Sequence, residues 1–483
     1  MIESLVAISV GTVYGLVIGF IPAAGATTGL IVLFPIIGWL ISLGEPYAAV
    51  VFLMATVASS TTGDTFSSVL LGIPGANSSA ATVVDGYPLA KNGEASYALS
   101  AAITSSTLNG ILWGLLTFSF LPWYGGVMLF FGVPELWALT MLALATVVFL
   151  SNKWWLRGLI ALGFGLGTGL IGVDPLTNSD RLTFGWDYLA SGVQLMPVVA
   201  GLFAVPELIG AWRSSSIQYN NHDYGRQTLD GIRDTGKHWV ASIRGGVMGG
   251  IIGILPGLGG AIADWLAYSQ TVANTKNPSP AFGEGNIIGV IGAEGANNAQ
   301  KATSMIPTVL FGIPGAPFAA VLIAMFTYLG FEVGSITLLS DQSFFDSLFL
   351  GFIGGTVLTA LICYAIIPLA GQFMRIPFWI YAPIVMGLIV WSCLQYTGTI
   401  DDLIMLVIFG AIGVFCKVFK FNRIALLIGF LLCGRIEKLS IQLIDIYSVE
   451  MLLSNNVFLL ILGCIILLLG WTIIFRQNKI NFA

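Results

Sequence analysis

Two stretches of this sequence concentrate the residue types that could do chemistry. The first runs Ser59, Ser60, Thr61, Thr62, Gly63, Asp64, Thr65, Phe66, Ser67, Ser68 and closes at Gly75 and Asn77. The second runs from Glu294 through Asn297, Asn298 and Gln300 to Lys301, and continues to Thr308 and Gly315. Hydroxyls and amides hydrogen-bond a carboxylate without presenting a net charge. Unpaired backbone carbonyls and Ser/Thr oxygens serve equally well as ligands of a sodium ion. Lys301 is the only basic residue between Lys276 and Arg375, which makes it a direct partner for an anionic substrate. The competing reading is a structural ion pair with Glu294, seven residues back on the same helical face. Asp64 and Asp264 are candidates for binding a cation or a proton; a helix cap or a water-facing charge is the alternative for each.

The elements that must position these residues are apolar. Hydrophobic residues make up 56% of the 483 positions and charged ones only 9%, with a mean hydropathy of +0.90. A soluble domain carries about a quarter of its residues as charges. No Asp, Glu, Lys or Arg occurs between Ser4 and Gly44, Ala95 and Pro134, Thr303 and Phe331, Ile376 and Ile400, or across Met451–Phe475. Each run can cross a hydrocarbon core, which takes about 20 helical residues. The runs lack the alternation of a membrane β-barrel. An all-α polytopic membrane protein follows, with roughly 11–13 membrane segments. The first twenty residues have no basic leader or clear cleavage site, so they read as the first membrane helix.

The polar segment around Trp212–Lys237 splits the chain, giving a first membrane repeat over 1–211, a polar cytoplasmic linker over 212–239 and a second repeat over 240–483. Its Arg213, Arg226, Arg233 and Lys237 place it in the cytoplasm by the positive-inside rule. Gly11, Gly15, Gly19, Pro22 and Gly25 recur in register as Gly245, Gly249, Gly253, Pro256 and Gly259. Gly72-Ile-Pro-Gly75 recurs as Gly312-Ile-Pro-Gly315. An internal duplication explains both pairs. Glycines four apart make a smooth face for close helix packing. The Pro-containing ends must break their helices, and broken backbone at membrane depth lines a buried or wet cavity. Paired breaks at matching positions of two halves point to a transporter's central site. The cation-binding candidates are therefore Pro22, Gly25, Thr27, Thr28, Asp64, Pro256, Gly257, Gly259 and Asp264. The substrate-binding candidates are Ser59, Ser60, Thr61, Thr62, Ser67, Ser68, Gly75 and Asn77 from the first stretch, with Asn297, Asn298, Lys301, Thr308 and Gly315 from the second.

At these residues the sequence resembles the large membrane subunit of the tripartite tricarboxylate transporters. The most specific element is Asp85-Gly86-Tyr87-Pro88-Leu89-Ala90-Lys91-Asn92-Gly93-Glu94-Ala95. Pro256-Gly-Leu-Gly259, Glu294-Gly-Ala296-Asn297-Asn298-Ala299 and both Gly-Ile-Pro-Gly loops follow in the family's order. The resemblance implies two inverted repeats and cation-coupled secondary transport, with Na+ or H+ as coupling ion and no other cofactor. It also implies a carboxylate substrate, a periplasmic solute-binding protein, a small four-helix membrane subunit and a place in the bacterial inner membrane, and it leaves room for a homodimer. Two positions depart from the family's pattern. Pro22-Ala-Ala-Gly25 stands where Pro-Gly-[Leu/Ile]-Gly is commoner, and Lys301 where a small residue is usual. The run from Asp85 to Glu94 is rich in turn pairs and reads as a connecting loop outside the hydrocarbon.

Other classes fit less well. Both histidines, His222 and His238, lie in or beside the polar segment, which leaves no intramembrane histidine for a zinc site or a nucleophile–base dyad. The five cysteines are widely spaced in apolar surroundings and read as small buried hydrophobes with no transition-metal spacing. A net charge of −5 with no basic patch argues against a nucleic-acid partner. Two alternatives remain: a cation/carboxylate symporter that works without a binding protein, and an intramembrane enzyme of the aspartyl type using Asp64 with Asp264.

Overall fold

The computed structural model describes residues 2–21, 25–34, 36–38, 44–72, 74–124, 132–150, 155–174, 179–211, 224–255, 259–369, 378–397 and 399–477. Among them helices joined by short loops predominate, and the strands form a two-stranded antiparallel hairpin, β1 (Gly172–Val173) with β2 (Asp180–Arg181). The first half contains α1 (Ile2–Phe20), α2 (Gly25–Val32), α3 (Pro46–Leu71), α4 (Thr82–Lys91), α5 (Ala95–Phe120), α6 (Val133–Leu150) and α7 (Trp155–Gly169). After the hairpin come α8 (Leu195–Val199) and α9 (Val205–Ala211), joined by a π-helical turn at Ala200–Ala204. The second half opens with α10 (Tyr224–Lys237), α11 (Trp239–Ile254), α12 (Gly259–Asn274), α13 (Ile287–Thr303), α14 (Met305–Phe311), α15 (Pro317–Tyr328) and α16 (Gln342–Ile366). It ends in α17 (Phe378–Thr397), α18 (Asp401–Val418), α19 (Arg423–Ile446) and α20 (Asn456–Gln477).

The glycine ladders explain the first contacts. A Cβ added at Gly11, Gly15 or Gly19 of α1 would come within 2.6, 2.5 and 2.4 Å of the carbonyl oxygens of Phe52, Thr56 and Ser60 on α3. In the second half, Gly245, Gly249 and Gly253 of α11 bear the same relation to the carbonyls of Gly292, Ala296 and Gln300 on α13, at 2.1, 2.3 and 2.6 Å. Both sets of partners step by four residues, so one backbone-to-backbone helix pairing is built twice. The opposite face of α1 exposes Val6, Val10, Val13 and Val17, and that of α11 exposes Val247, Ile251 and Ile254. A helix that packs through glycine and presents branched aliphatics outward is arranged for lipid.

The two halves of the chain then interlock. α5 of the first half lies on α13 of the second, with Ser105 Oγ donating to Ile291 O at 2.7 Å. α16 of the second half lies on α3 of the first, where a Cβ at Gly351 would meet Val51 O at 2.5 Å and one at Gly355 would meet Ala55 Cα at 2.7 Å. α3 and α13 therefore sit at the centre, each enclosed by helices from both halves. A second body joins the later helices: α7 against α19, with a Cβ at Gly165 meeting Leu426 O at 2.0 Å, and the π-turn against α18.

Three described helices are long and apolar enough to span a membrane: Ile2–Phe20, Ala95–Phe120 and the helical stretch Gln342–Leu369. Shorter apolar helices accompany them. Two sequence expectations change. The Asp85–Glu94 run is not a free loop, because Thr82–Lys91 is a helix whose inner face buries Asp85 and Leu89. Within the 212–239 segment, Tyr224–Lys237 forms the helix α10, packed through Gly231 onto Tyr97 and Ser100 of α5. Of the five cysteines, four are buried and Cys464 is exposed.

The ladder predicts a sharp contrast between two Gly→Ala substitutions. Gly15→Ala drives its methyl into the α3 backbone and should cost about 1–3 kcal/mol. Gly163→Ala on α7, where a Cβ meets nothing within 4 Å, should leave stability unchanged or slightly raised. Thermal unfolding of the two purified variants in detergent distinguishes them; equal midpoints would mean that the α1–α3 contact is looser than described.

Candidate functional site

The site is organised by α13. Asn286 caps the helix, its side-chain oxygen accepting from Ile288 N at 3.0 Å. The following Gly289, Gly292, Gly295, Ala293, Ala296 and Ala299 let α5, α11 and α12 approach closely. Every residue from Gly289 to Thr303 is buried, so Glu294, Asn297, Asn298, Gln300 and Lys301 stand inside the protein. α13 gives way at Ser304 to α14, which ends in left-handed Gly312 at φ 57°. α3 ends the same way, at Gly72 with φ 67°. After each left-handed glycine the Pro-Gly turn folds back onto its own helix. A Cβ at Gly75 would lie 2.6 Å from Asp64 Cα, and one at Gly315 would lie 2.7 Å from Ser304 Cβ. Only glycine fits at either place, which accounts for the repeated Gly-Ile-Pro-Gly.

Glu294 is satisfied by neutral donors. Its Oε1 accepts from Thr65 Oγ1 at 3.0 Å and Thr82 Oγ1 at 2.8 Å, and its Oε2 from Asn297 Nδ2 at 3.4 Å. Lys301 lies over the ring of Phe318, 4.4 Å from its centre, a cation–π contact that stabilises a desolvated ammonium. Lys301 makes no salt bridge to Glu294, so the predicted ion-pair alternative is not what holds either group. The charges that act on Asp64 are Lys301 and Glu294. Asp264 Oδ2 accepts from Ala81 N at 2.7 Å, and Glu294 is the charge it feels. Asp64, Asp264 and Glu294 are wholly buried and Lys301 nearly so. Of the three buried carboxylates only Asp64 interacts with the Lys301 ammonium, while Glu294 lies within electrostatic reach of both Asp64 and Asp264.

Several polar atoms here have no partner among the described residues: both oxygens of Asp64, Oδ1 of Asp264, Oδ1 of Asn297, Oδ1 of Asn298 and the Gln300 amide. Buried polar atoms are otherwise almost always hydrogen-bonded. Apart from the Gln300 nitrogen all are acceptors, so the group is built for something that donates or is positively charged. Asn298 Nδ2 reaches Thr62 Oγ1 at 3.3 Å and ties α13 to α3.

The hydroxyl-rich stretch of α3 fans out over several faces. Ser59 donates to Ala55 O beneath Gly15, Ser60 and Thr61 both donate to Val57 O, and Thr62 and Thr65 meet α13. Ser67 and Ser68 donate to Asp64 O, and Ser68 also reaches Ser79 Oγ at 2.9 Å. Gly25 starts α2 at φ 56° against Ala76, beside buried Thr28 and partly buried Thr27. Thr308 Oγ1 accepts from Gly315 N at 3.2 Å. Gly259 opens α12, and Asn77 starts a single helical turn. Pro22, Pro256 and Gly257 lie outside the described residues.

Sequence reasoning left Thr65, Thr82 and Glu294 out of its candidate set, and it read Asp85 as part of a loop. Asp85 is a clamp: its Oδ1 accepts from the backbone of Gly283, Gly285 and Asn286 at 2.7, 3.1 and 2.8 Å, and its Oδ2 from Tyr268 OH at 2.9 Å. The usable signal was the three-residue step from Thr82 to Asp85, which puts both side chains on one helical face.

A family model described as the tripartite tricarboxylate transporter TctA family matches residues 5–428. An uncharacterized 52.8 kDa protein in the TAR-I ttuC' 3' region of Agrobacterium vitis is 29% identical over 440 residues, spanning 89% of this chain and 84% of its own length. An uncharacterized protein in the TAR-II ttuC' 3' region of the same organism is 29% identical over 190 residues, 39% of this chain and 78% of its own. No solved structure matches the chain.

Asp85→Ala leaves three backbone N–H groups and a tyrosine hydroxyl without their acceptor. At about 1–3 kcal/mol for each buried unsatisfied group, it should destabilise the protein strongly and expose residues 276–286 to limited proteolysis. Asp85→Asn, which keeps one acceptor oxygen, should fall between. Wild-type protease resistance in the alanine variant would show that the clamp does not hold this segment.

Proposed function

Because the chain belongs to the tripartite tricarboxylate transporter TctA family, we propose that it is the membrane component that carries a carboxylate across a bacterial inner membrane as a multi-pass, cation-coupled secondary transporter. Its substrate is a tri- or dicarboxylate delivered by a periplasmic solute-binding protein, and a small four-helix membrane subunit works beside it. The two repeats are inverted, which requires an odd number of crossings between Pro22 and Pro256. The roughly 11–13 segments inferred from the uncharged runs allow this.

The observation that carries the reading is the buried cluster between α3 and α13. Lys301 supplies the positive charge that recognises a carboxylate, and the Asn297 and Asn298 amides each keep a second N–H to donate beyond those given to Glu294 and Thr62. Asp64 and Asp264, with unpartnered oxygens, supply negative charge and acceptors for Na+ or H+. An intramembrane charge costs at least ~2.5–3.5 kcal/mol at the bilayer centre. Three buried carboxylates, of which only Asp64 has the Lys301 ammonium near it, are therefore a standing demand for cations or protons. Substrate and coupling ion enter the same cluster, which links one binding event to the other.

Reconstitution with the small subunit and the binding protein tests the assignment through uptake of labelled citrate and C4-dicarboxylates, with and without a sodium gradient. Uptake that needs both the binding protein and the gradient is the expected result. Uptake of no carboxylate under any gradient would sink it. In the same assay Asn297→Ala and Asn298→Ala should each lower uptake about 10- to 100-fold, the loss of one hydrogen bond to a charged partner, with membrane insertion intact. Asp64→Asn should abolish the response to the cation gradient before it abolishes substrate binding. Normal uptake by both asparagine variants would remove them from the site.

A further inference from the structure

A basic pocket lies away from the buried cluster, where α10 hands over to α11. Its volume is about 370 Å³. Lys237, His238 and Arg244 line it from one side, and Gln270, Asn274 and Lys276 from the end of α12. None of its lining residues is acidic. The nearest carboxylate along α10, Asp234, is already engaged by Lys237 and by Tyr97 OH. Burial resists ionisation of Asp234, but the hydrogen bonds from Lys237 and Tyr97 outweigh it and hold this carboxyl below its usual range. Arg244 and Lys276 have no ion-pair partner among the described residues.

The depth of the pocket follows from what surrounds it. Trp239, at the first turn of α11, is 58% exposed, the position of an interfacial aromatic anchor. Below it the same helix exposes Val247, Ile251 and Ile254, its lipid-facing stripe. α12 likewise exposes Trp265, Leu266 and Val272 on its way to Asn274. On the other side of the pocket, α10 carries exposed Arg226 and Arg233 with exposed Leu229, the make-up of a helix lying in the interface plane. The cations are thus held at the level where hydrocarbon gives way to water, on the side that the positive-inside rule makes cytoplasmic.

We propose that this pocket binds the phosphate of an anionic phospholipid headgroup, with Arg244 and Lys276 as its principal cations and the acyl chains lying along the exposed apolar stripe of α11. Arg244 offers the forked donor geometry that matches a phosphate, and Asn274 and Gln270 offer neutral donors beside it. A headgroup seated here bridges α11, which ends at Ile254, and α12, which begins at Gly259. Anionic lipid therefore stabilises the pairing of α11 with α12. The inference does not depend on the identity of the transported solute.

The test uses the purified full chain in phosphatidylcholine bilayers with and without phosphatidylglycerol. Thermal midpoint and lipid retention by native mass spectrometry are compared for wild type, R244Q/K276Q and R226Q/R233Q. The last variant removes the same charge from the interface outside the pocket. Expected are a higher midpoint and retained phosphatidylglycerol in wild type and R226Q/R233Q. In R244Q/K276Q the headgroup affinity should fall roughly 30-fold. If R244Q/K276Q proves misfolded in phosphatidylcholine, Arg244→Lys and Lys276→Arg, which keep the charge, must retain the lipid. A third arm adds inorganic phosphate to pure phosphatidylcholine. Stabilisation there equal to that by phosphatidylglycerol would overturn the lipid assignment in favour of a soluble phosphate. Equal retention of phosphatidylglycerol by all three proteins, or by none, would overturn the pocket altogether.

Discussion

The contact of glycine with backbone between α1 and α3, repeated between α11 and α13, is the constraint from which the rest of this architecture follows. Lipid tails are as apolar as leucine, so helices in a bilayer gain little from burying aliphatic groups against one another. They associate through close van der Waals packing. Carbonyl oxygens of α3 and α13 occupy the very positions that a Cβ at these glycines would need. No other residue permits that approach. The two ladders fix the register of each pair, and the register decides which faces of α3 and α13 are left for α5, α16 and each other.

With register fixed, the polar residues of α3 and α13 have nowhere to go but inward. Glu294 is made tolerable by two threonine hydroxyls and an asparagine amide, and Lys301 by the face of Phe318. Asp64 has no such provision among the described residues. Burying a charge without a partner is among the most costly arrangements a protein adopts. An arrangement that gives Glu294 three hydrogen bonds, and Asp64 the nearby Lys301 charge but no hydrogen bond among the described residues, separates a structural carboxylate from one left open for a ligand. Thr82 joins this economy from α4, whose next turn carries the Asp85 clamp on the 283–286 segment. The most recognisable run in the sequence is thus a brace between the first Pro-Gly turn and the start of α13.

The duplicated elements do not stay within their own halves. α5 packs on the central helix of the second half and α16 on that of the first. Neither central helix is enclosed without the other half, so the polar cluster forms only when both are folded together.

The amino-acid sequence by itself determined the helical membrane class, because uncharged runs of that length suit only hydrocarbon. It determined the duplication, because glycine and proline repeat in register, and the family, because the motifs occur in order. It also pointed to α3 and α13 as the carriers of polar chemistry. Tertiary structure alone decided which hydroxyls serve that chemistry. Ser59 and Thr62 look alike in a list, yet they sit three residues apart on a helix and face different neighbours: Ser59 lies under Gly15, while Thr62 meets Asn298. Tertiary structure likewise separated Glu294 from Lys301, which helical spacing alone would pair, because Thr65 and Thr82 reach the carboxylate from other helices. Turn-forming residue pairs made Asp85–Glu94 look like a loop, since local propensity carries no record of the backbone N–H groups that Asp85 would meet nearly two hundred residues further on. Partners brought together from distant parts of a chain leave no trace in spacing, and the site consists almost entirely of such partners.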